Sequence, residues 1–252
     1  MLLLTSLGCV LFEGTLEDVV DEIEGLTNPL VVQAAFIGVA EPESEDIDLS
    51  ETEFADGNGI TAFLADAASV DEMDKAPISG ASARVRVGSQ AAVDLSEGET
   101  DGQYTATGGE GLGYVPGQQA VLTVVIGDST STLPLTLPPA ADVDIPETGP
   151  ANQALPLDLS GQEFDRVLVV VLGMTSGEVT YSNKPEGIED WYDFDDAATS
   201  FEIPASAFAG ADLYAVGVAG LDKADSDGFD NMNTALSGLQ AGQMEFHPYL
   251  VQ

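Results

Sequence analysis

The sequence holds one cysteine, one histidine, one tryptophan and six basic residues in 252 positions. Each scarcity excludes something. A lone cysteine, Cys9, rules out an internal disulfide, so the fold must be stable without one. Six Lys and Arg against 44 Asp and Glu leave a formal charge of −38. A nucleic-acid partner is excluded on that balance, because the phosphate backbone would be repelled everywhere. A bare anionic membrane surface is repelled in the same way. No stretch reaches the ~18 apolar residues of a transmembrane helix. What is present is a hydrophobic fraction of 44%, ample for a core and unlike that of a disordered acidic tail. Charge of this size suits salty or cation-rich surroundings, or specific cation sites.

A chain of this length suggests one large or two small domains. Residues 15–25 have helical periodicity. Thr15 and Asp18 make a capping pair, and Leu16, Val19, Val20 and Ile23 share one face. Gly25 and then Asn28-Pro29 stop it. From Leu30 the period is that of strands. Segments 30–39, 59–65, 81–87, 92–95, 103–107, 120–126 and 131–137 are short, apolar or alternating, and bounded by Gly, Pro, Asp and Ser turns. That pattern predicts an all-β sandwich. Five prolines between Pro134 and Pro150, with no periodicity over 140–149, predict an extended linker. The second half resumes with Leu155-Pro156-Leu157-Asp158-Leu159. Arg166-Val-Leu-Val-Val-Val-Leu172 then predicts a central strand buried on both sides. Further strands are expected over 178–181, 200–203, 213–218 and 243–251.

Two phrases sharpen the fold. Pro77-Ile78-Ser79-Gly80-Ala81 before Arg84-Val85-Arg86-Val87 resembles the opening of bacterial Ig-like and carboxypeptidase-regulatory-like modules. Tyr114-Val115-Pro116-Gly117 before Val121-Leu122-Thr123-Val124 resembles the bend before their penultimate strand. The run from Ser200 through Pro204 and Phe208 to Tyr214 resembles the end of a fibronectin type III or related Ig-like domain, where a turn leads into a strand bearing an inward Tyr. The expected architecture is all-β: two Ig-like β-sandwiches in series, over 30–139 and 151–252. A linker over 140–150 joins them, and a short N-terminal helix within 9–29 precedes them.

Ser6-Leu7-Gly8-Cys9 after an apolar opening resembles the lipobox of bacterial lipoproteins. That resemblance implies that 1–8 is the remnant of a signal peptide and that Cys9 is the mature, lipidated N-terminus. It places the chain in the cell envelope, lipid-anchored, at the outer membrane on its periplasmic or surface face.

Four groups of residues are candidates for chemistry. Asp222, Asp225, Asp227 and Asp230 around Gly228 place several hard oxygens in one loop, as calcium sites do. Lys223 and Thr234 stand where an EF-hand would need acids, so a non-EF calcium loop is the form expected, with an exposed acidic turn as the alternative. Trp191, Tyr192 and Phe194, among acids in a loop, are candidate anchors for a protein or glycan partner. They could equally cap the second core. The 41–53 run, rich in Glu and Asp, reads as a solvated loop, able to recruit divalent cations loosely. Gly127-Asp128-Ser129 resembles the nucleophile block of GDSL esterases, with His247 as its base. The acid expected three residues before that histidine is Met244, and Gly-Asp-Ser between strands is also an ordinary hairpin turn. No catalytic residue is assigned. The expectation is a non-enzymatic binding or structural module, with an accessory subunit of a larger envelope assembly as the alternative.

Overall fold

The computed structural model describes residues 29–252 apart from 43, 53, 70–72, 74, 160 and 185–199. The expected helix over 15–25 lies outside them. The first seven strands are β1 (Leu30–Val39), β2 (Gly59–Asp66), β3 (Ser82–Val87), β4 (Val93–Glu97), β5 (Gln103–Thr107), β6 (Gln119–Ile126) and β7 (Ser129–Thr136). Alternation decides which side each residue faces. In β3, Ala83, Val85 and Val87 are buried while Ser82, Arg84 and Arg86 are exposed. Hydrogen bonding runs β1-β2-β5-β4 in one layer and β3-β6-β7 in the other. β4 pairs β3 at Val93–Leu95 and β5 at Ser96 and Glu97, so it passes from one layer to the other. Lettered A to G in chain order, this is A-B-E-D facing C-F-G, the strand order of a constant-type Ig sandwich.

The two sequence phrases have physical reasons in this unit. Gly80 has φ +73°, and the turn it makes presents the Ala81 N–H to the Tyr104 hydroxyl at 2.9 Å, which in turn donates to Ile78 O. Gly117 has φ +77°. Its N–H reaches Leu137 O at 2.8 Å, which starts the β6–β7 pairing. Tyr114 packs edge-on to Phe36, centroids 5.1 Å apart, and donates to Pro138 O.

The second half comprises β8 (Thr148–Gly149), β9 (Leu155–Asp158), β10 (Arg166–Gly173), β11 (Glu178–Ser182), β12 (Ser200–Ile203), β13 (Leu213–Lys223) and β14 (Gly238–Val251). Its large sheet runs β11-β10-β13-β14, and β9 and β12 pair separately. Every residue of β10 is buried, as the apolar run required. Val167, Val169 and Val171 enter the core with Leu157, Phe208 and Tyr249, while Leu168, Val170 and Leu172 face the opposite side. Tyr214, inward near the start of β13, donates its hydroxyl to Gly210 O at 3.0 Å. That bond back to the preceding turn is the tyrosine corner of Ig-like sandwiches.

β14 belongs to both halves. Gly238–Met244 pairs in parallel with Gln33–Val39 of β1, whereas Glu245–Leu250 pairs antiparallel with Leu213–Val218 of β13. The turn between β13 and β14, with Ala224, Phe229 and Met232, and the start of β14, with Leu239 and Ala241, reach into the first core. Asp230 bridges Thr132 of β7, Val32 N–H donates to Ser237 Oγ, and Asn233 N–H donates to Leu30 O. The strands expected over 30–139 and 151–252 therefore meet in a shared hairpin. The 140–150 segment is also docked. Ala141 and Val143 are buried in the second core, Ala140 bridges Gln243, and Thr148–Gly149 pairs with Leu250–Val251.

Candidate functional site

The acidic run differs from a solvated loop. Ile47 is 6% exposed, and Leu49 and Phe54 are partly buried beside it. They cover the outer face of the β10–β13–β14 sheet, which presents Leu168, Val170, Leu172, Ala215, Leu221, Met244 and Phe246. Phe54 meets Phe246 edge-on at 5.1 Å. Burying a side chain of the size of Ile47 contributes about 1.5–3 kcal/mol to holding this strap on the sheet. Glu41, Glu45, Asp46, Asp48 and Glu51 remain exposed. Asp48 Oδ1 accepts from Ser50 N–H at 2.9 Å, and the Ser50 hydroxyl and backbone bonds hold its pKa below the ordinary aspartate value.

The candidate calcium residues are separated by their structural tasks. Asp222 is the penultimate residue of β13, where burial and then the neighbouring Asp165 raise its pKa. Asp225 caps the 3-10 turn at Ser226–Gly228 by accepting from Asp227 N–H, and Asp230 bridges to β7. Among the described residues no group of three or more His, Cys, Asp or Glu side chains could hold a metal ion. An Asp-rich turn is here a capped, bridged hairpin tip, so these four carboxylates are not brought together.

Ser129 and His247 are likewise not joined. Ser129 follows the two-residue β6–β7 turn, where it pairs with Ile126, and Gly127 there has φ +58°. His247 lies in β14 opposite Val216. Its Nε2 is buried without a hydrogen-bond partner among the described residues. Nucleophile and base must stand within hydrogen-bond reach to act together, and here Ser129 in β7 and His247 in β14 share no hydrogen bond. Trp191, Tyr192 and Phe194, like Cys9, lie outside the described residues.

A cavity lined by Gln33, Ala34, Ala35, Thr61 and Phe63 has a volume of about 10 Å³. That is room for about one water, far below the ~300 Å³ of a small-molecule site. The sheet faces offer more. On the outer side of β3-β6-β7, Arg84 stands opposite Thr123, and Arg86 opposite Val121. Thr132 and Pro134 of β7 continue those two rows. None of the residues of β3, β6 and β7 is acidic, although the chain holds 44 acids. Sequence inspection noted Arg84 and Arg86 only as the outward half of an alternation. The signal that could have found this face was the absence of Asp and Glu over three strands that pair with one another.

No protein-family model matches the chain, and no curated protein matches it. Among solved structures it resembles the crystal structure of the chicken CNTN1 FN1-FN3 domains, at 9% identity over 77% of this chain, with a TM-score of 0.20. The chain spans 61% of that structure's length. A likeness this slight decides nothing.

Proposed function

We propose that this chain is a non-enzymatic binding or structural module of the bacterial cell envelope, anchored by lipid on Cys9, in which two Ig-like sandwiches act as one stiff body. The observation that carries the reading is the sharing of β14 between the two sandwiches. A strand hydrogen-bonded into both units, with a strap from one covering the outer face of the other, supports a fixed spacing between their surfaces. Such a body suits presentation of sheet faces and of the segment that bears Trp191, Tyr192 and Phe194 to a protein or glycan partner. The anchor rests on the lipobox resemblance of Ser6-Leu7-Gly8-Cys9.

Two measurements on protein from its native host test this. Mass spectrometry of membrane-extracted material should give a chain starting at Cys9 with added acyl mass; an intact, unmodified 1–9 segment overturns the anchor. Crosslinking in whole envelopes followed by purification should retain a defined partner with wild type and lose it on combined Trp191→Ala and Tyr192→Ala. Retention by the variant overturns the loop as the contact.

A further inference from the structure

We propose that the outer face of β3-β6-β7 is a docking site for the chain's own acidic N-terminal segment, residues 15–25. Charge complementarity makes the first argument. Arg84 and Arg86 are two of only six cations in the chain. They are exposed side by side on one strand, and among the described residues neither has an ion-pair partner. Successive outward residues of a strand are about 6.6 Å apart, so the two guanidinium groups form a short basic row. Beside that row lies a half-buried strip of Val121, Thr123 and Val125, with Pro134 next to Val121. Asp94 stands opposite Arg84 on one side, and the Gly228 turn abuts Pro134 on the other, so acids border the face without entering it.

The 15–25 sequence presents the complementary pattern. At 100° per residue, Leu16, Val19, Val20 and Ile23 form one stripe. Glu17 and Glu24 fall along the same flank of it, within 20° of one another in projection. An apolar stripe with acids down one side matches a largely apolar strip with arginines down one side. Each exposed Arg–carboxylate pair contributes little alone, but apolar burial beside it adds to the same contact.

Chain length makes the second argument. The described structure begins at Pro29, with Leu30 opposite Asp66 at the end of β2. Ile78 N–H donates to Leu64 O at that same end, and residues 78–81 lead directly into β3. Leu30 and Ser82 are thus at one end of the sandwich. Five residues from Gly25 to Leu30 span up to ~18 Å, and the two layers are ~10 Å apart. The segment can pass round that end and lie on the outer face.

The test uses the full chain in a Cys9→Ser background with Asp21→Cys, on the face away from the apolar stripe, carrying a nitroxide label. Amide resonances of Arg84, Thr123 and Thr132 should broaden, while those of Thr61 and Thr105 in the opposite layer should not. The broadening should be independent of protein concentration, be lost in Arg84→Glu with Arg86→Glu, and return when Glu17→Arg and Glu24→Arg are added. No selective broadening overturns the proposal. Broadening that fades on dilution assigns the face to a second copy's segment and overturns docking within one chain. Broadening that survives the arginine reversal overturns the role of the basic row.

Discussion

Phe229 lies in the carboxy-terminal half of the sequence, yet its ring is buried in the core built from residues 30–137, 9% exposed. Replacing it with alanine therefore asks whether the two sandwiches are energetically separate. Phe-to-Ala changes in cores cost about 3–5 kcal/mol. Phe229 sits at the edge of its core, on a turn that can settle inward, so the low end applies, about 3 kcal/mol. At 1.4 kcal/mol per tenfold, that is a fall of about 100-fold in the protection of amides that exchange by opening of this core. The assay is native-state hydrogen exchange on wild type and Phe229→Ala. The amides to follow are Leu122, Val124 and Leu133 in the first core, and Val169 and Val216 in the second. Protection at the first-core amides should fall by about that factor, although the substitution is more than 90 positions away in sequence. Unchanged protection at Leu122, Val124 and Leu133 would refute the shared hairpin, leaving the turn after β13 as an ornament of the second sandwich alone.

Gly242→Ala should lower stability by about 1–3 kcal/mol in urea denaturation, because the new Cβ would stand 2.3 Å from Gly220 O, a backbone atom that cannot swing aside. Asp222 has a folded pKa raised by burial and then by Asp165, so the folded state binds its proton more tightly than the unfolded chain. Its contribution to stability is greatest below the unfolded value of about 3.9 and is lost as pH rises through the folded value. Asp222→Asn should accordingly be more stable than wild type at pH 8, with the gap closing towards pH 4; a pH-independent gap would contradict this. The midpoint of thermal unfolding should climb with sodium chloride between about 0.05 and 1 M, as screening shortens from above 10 Å to ~3 Å. A midpoint indifferent to salt would show that self-repulsion at −38 does not limit this fold.

Much of the strand framework is legible in the sequence. Alternation in Ala83, Val85 and Val87 and the unbroken apolar run of β10 each translate directly into burial, because side-chain direction in a strand repeats every two residues. Long-range pairing is not legible in this way. Nothing local to Gly238–Met244 says that its partner is β1, some 200 residues earlier, and the extension of β13 to Lys223 is hidden by the Asp-rich composition that follows. The same composition suggests a calcium loop where Asp225 instead caps a turn. Charge also masks the strap. Ile47, Leu49 and Phe54 are too few and too irregularly spaced to give a period, yet each finds an apolar sheet face supplied by a distant part of the chain.

The placement of charge follows from that arrangement and points to where interaction is to be sought. A chain at −38 must keep carboxylates at the surface and apart, since each one buried without a partner is expensive. Among the described residues, loops, the strap and the hairpin tip carry most of them. The mutually paired strands β3, β6 and β7 carry none, although added Asp and Glu on exposed strand positions would serve solubility better than Thr and Val. The outward rows of β3, β6 and β7 keep Arg84, Arg86, Val121, Thr123 and Thr132 instead. An open, flat, three-stranded face with two arginines and a strip of valine and threonine is the kind of surface that an acidic amphipathic segment fits, and this sequence carries such a segment immediately before its first strand.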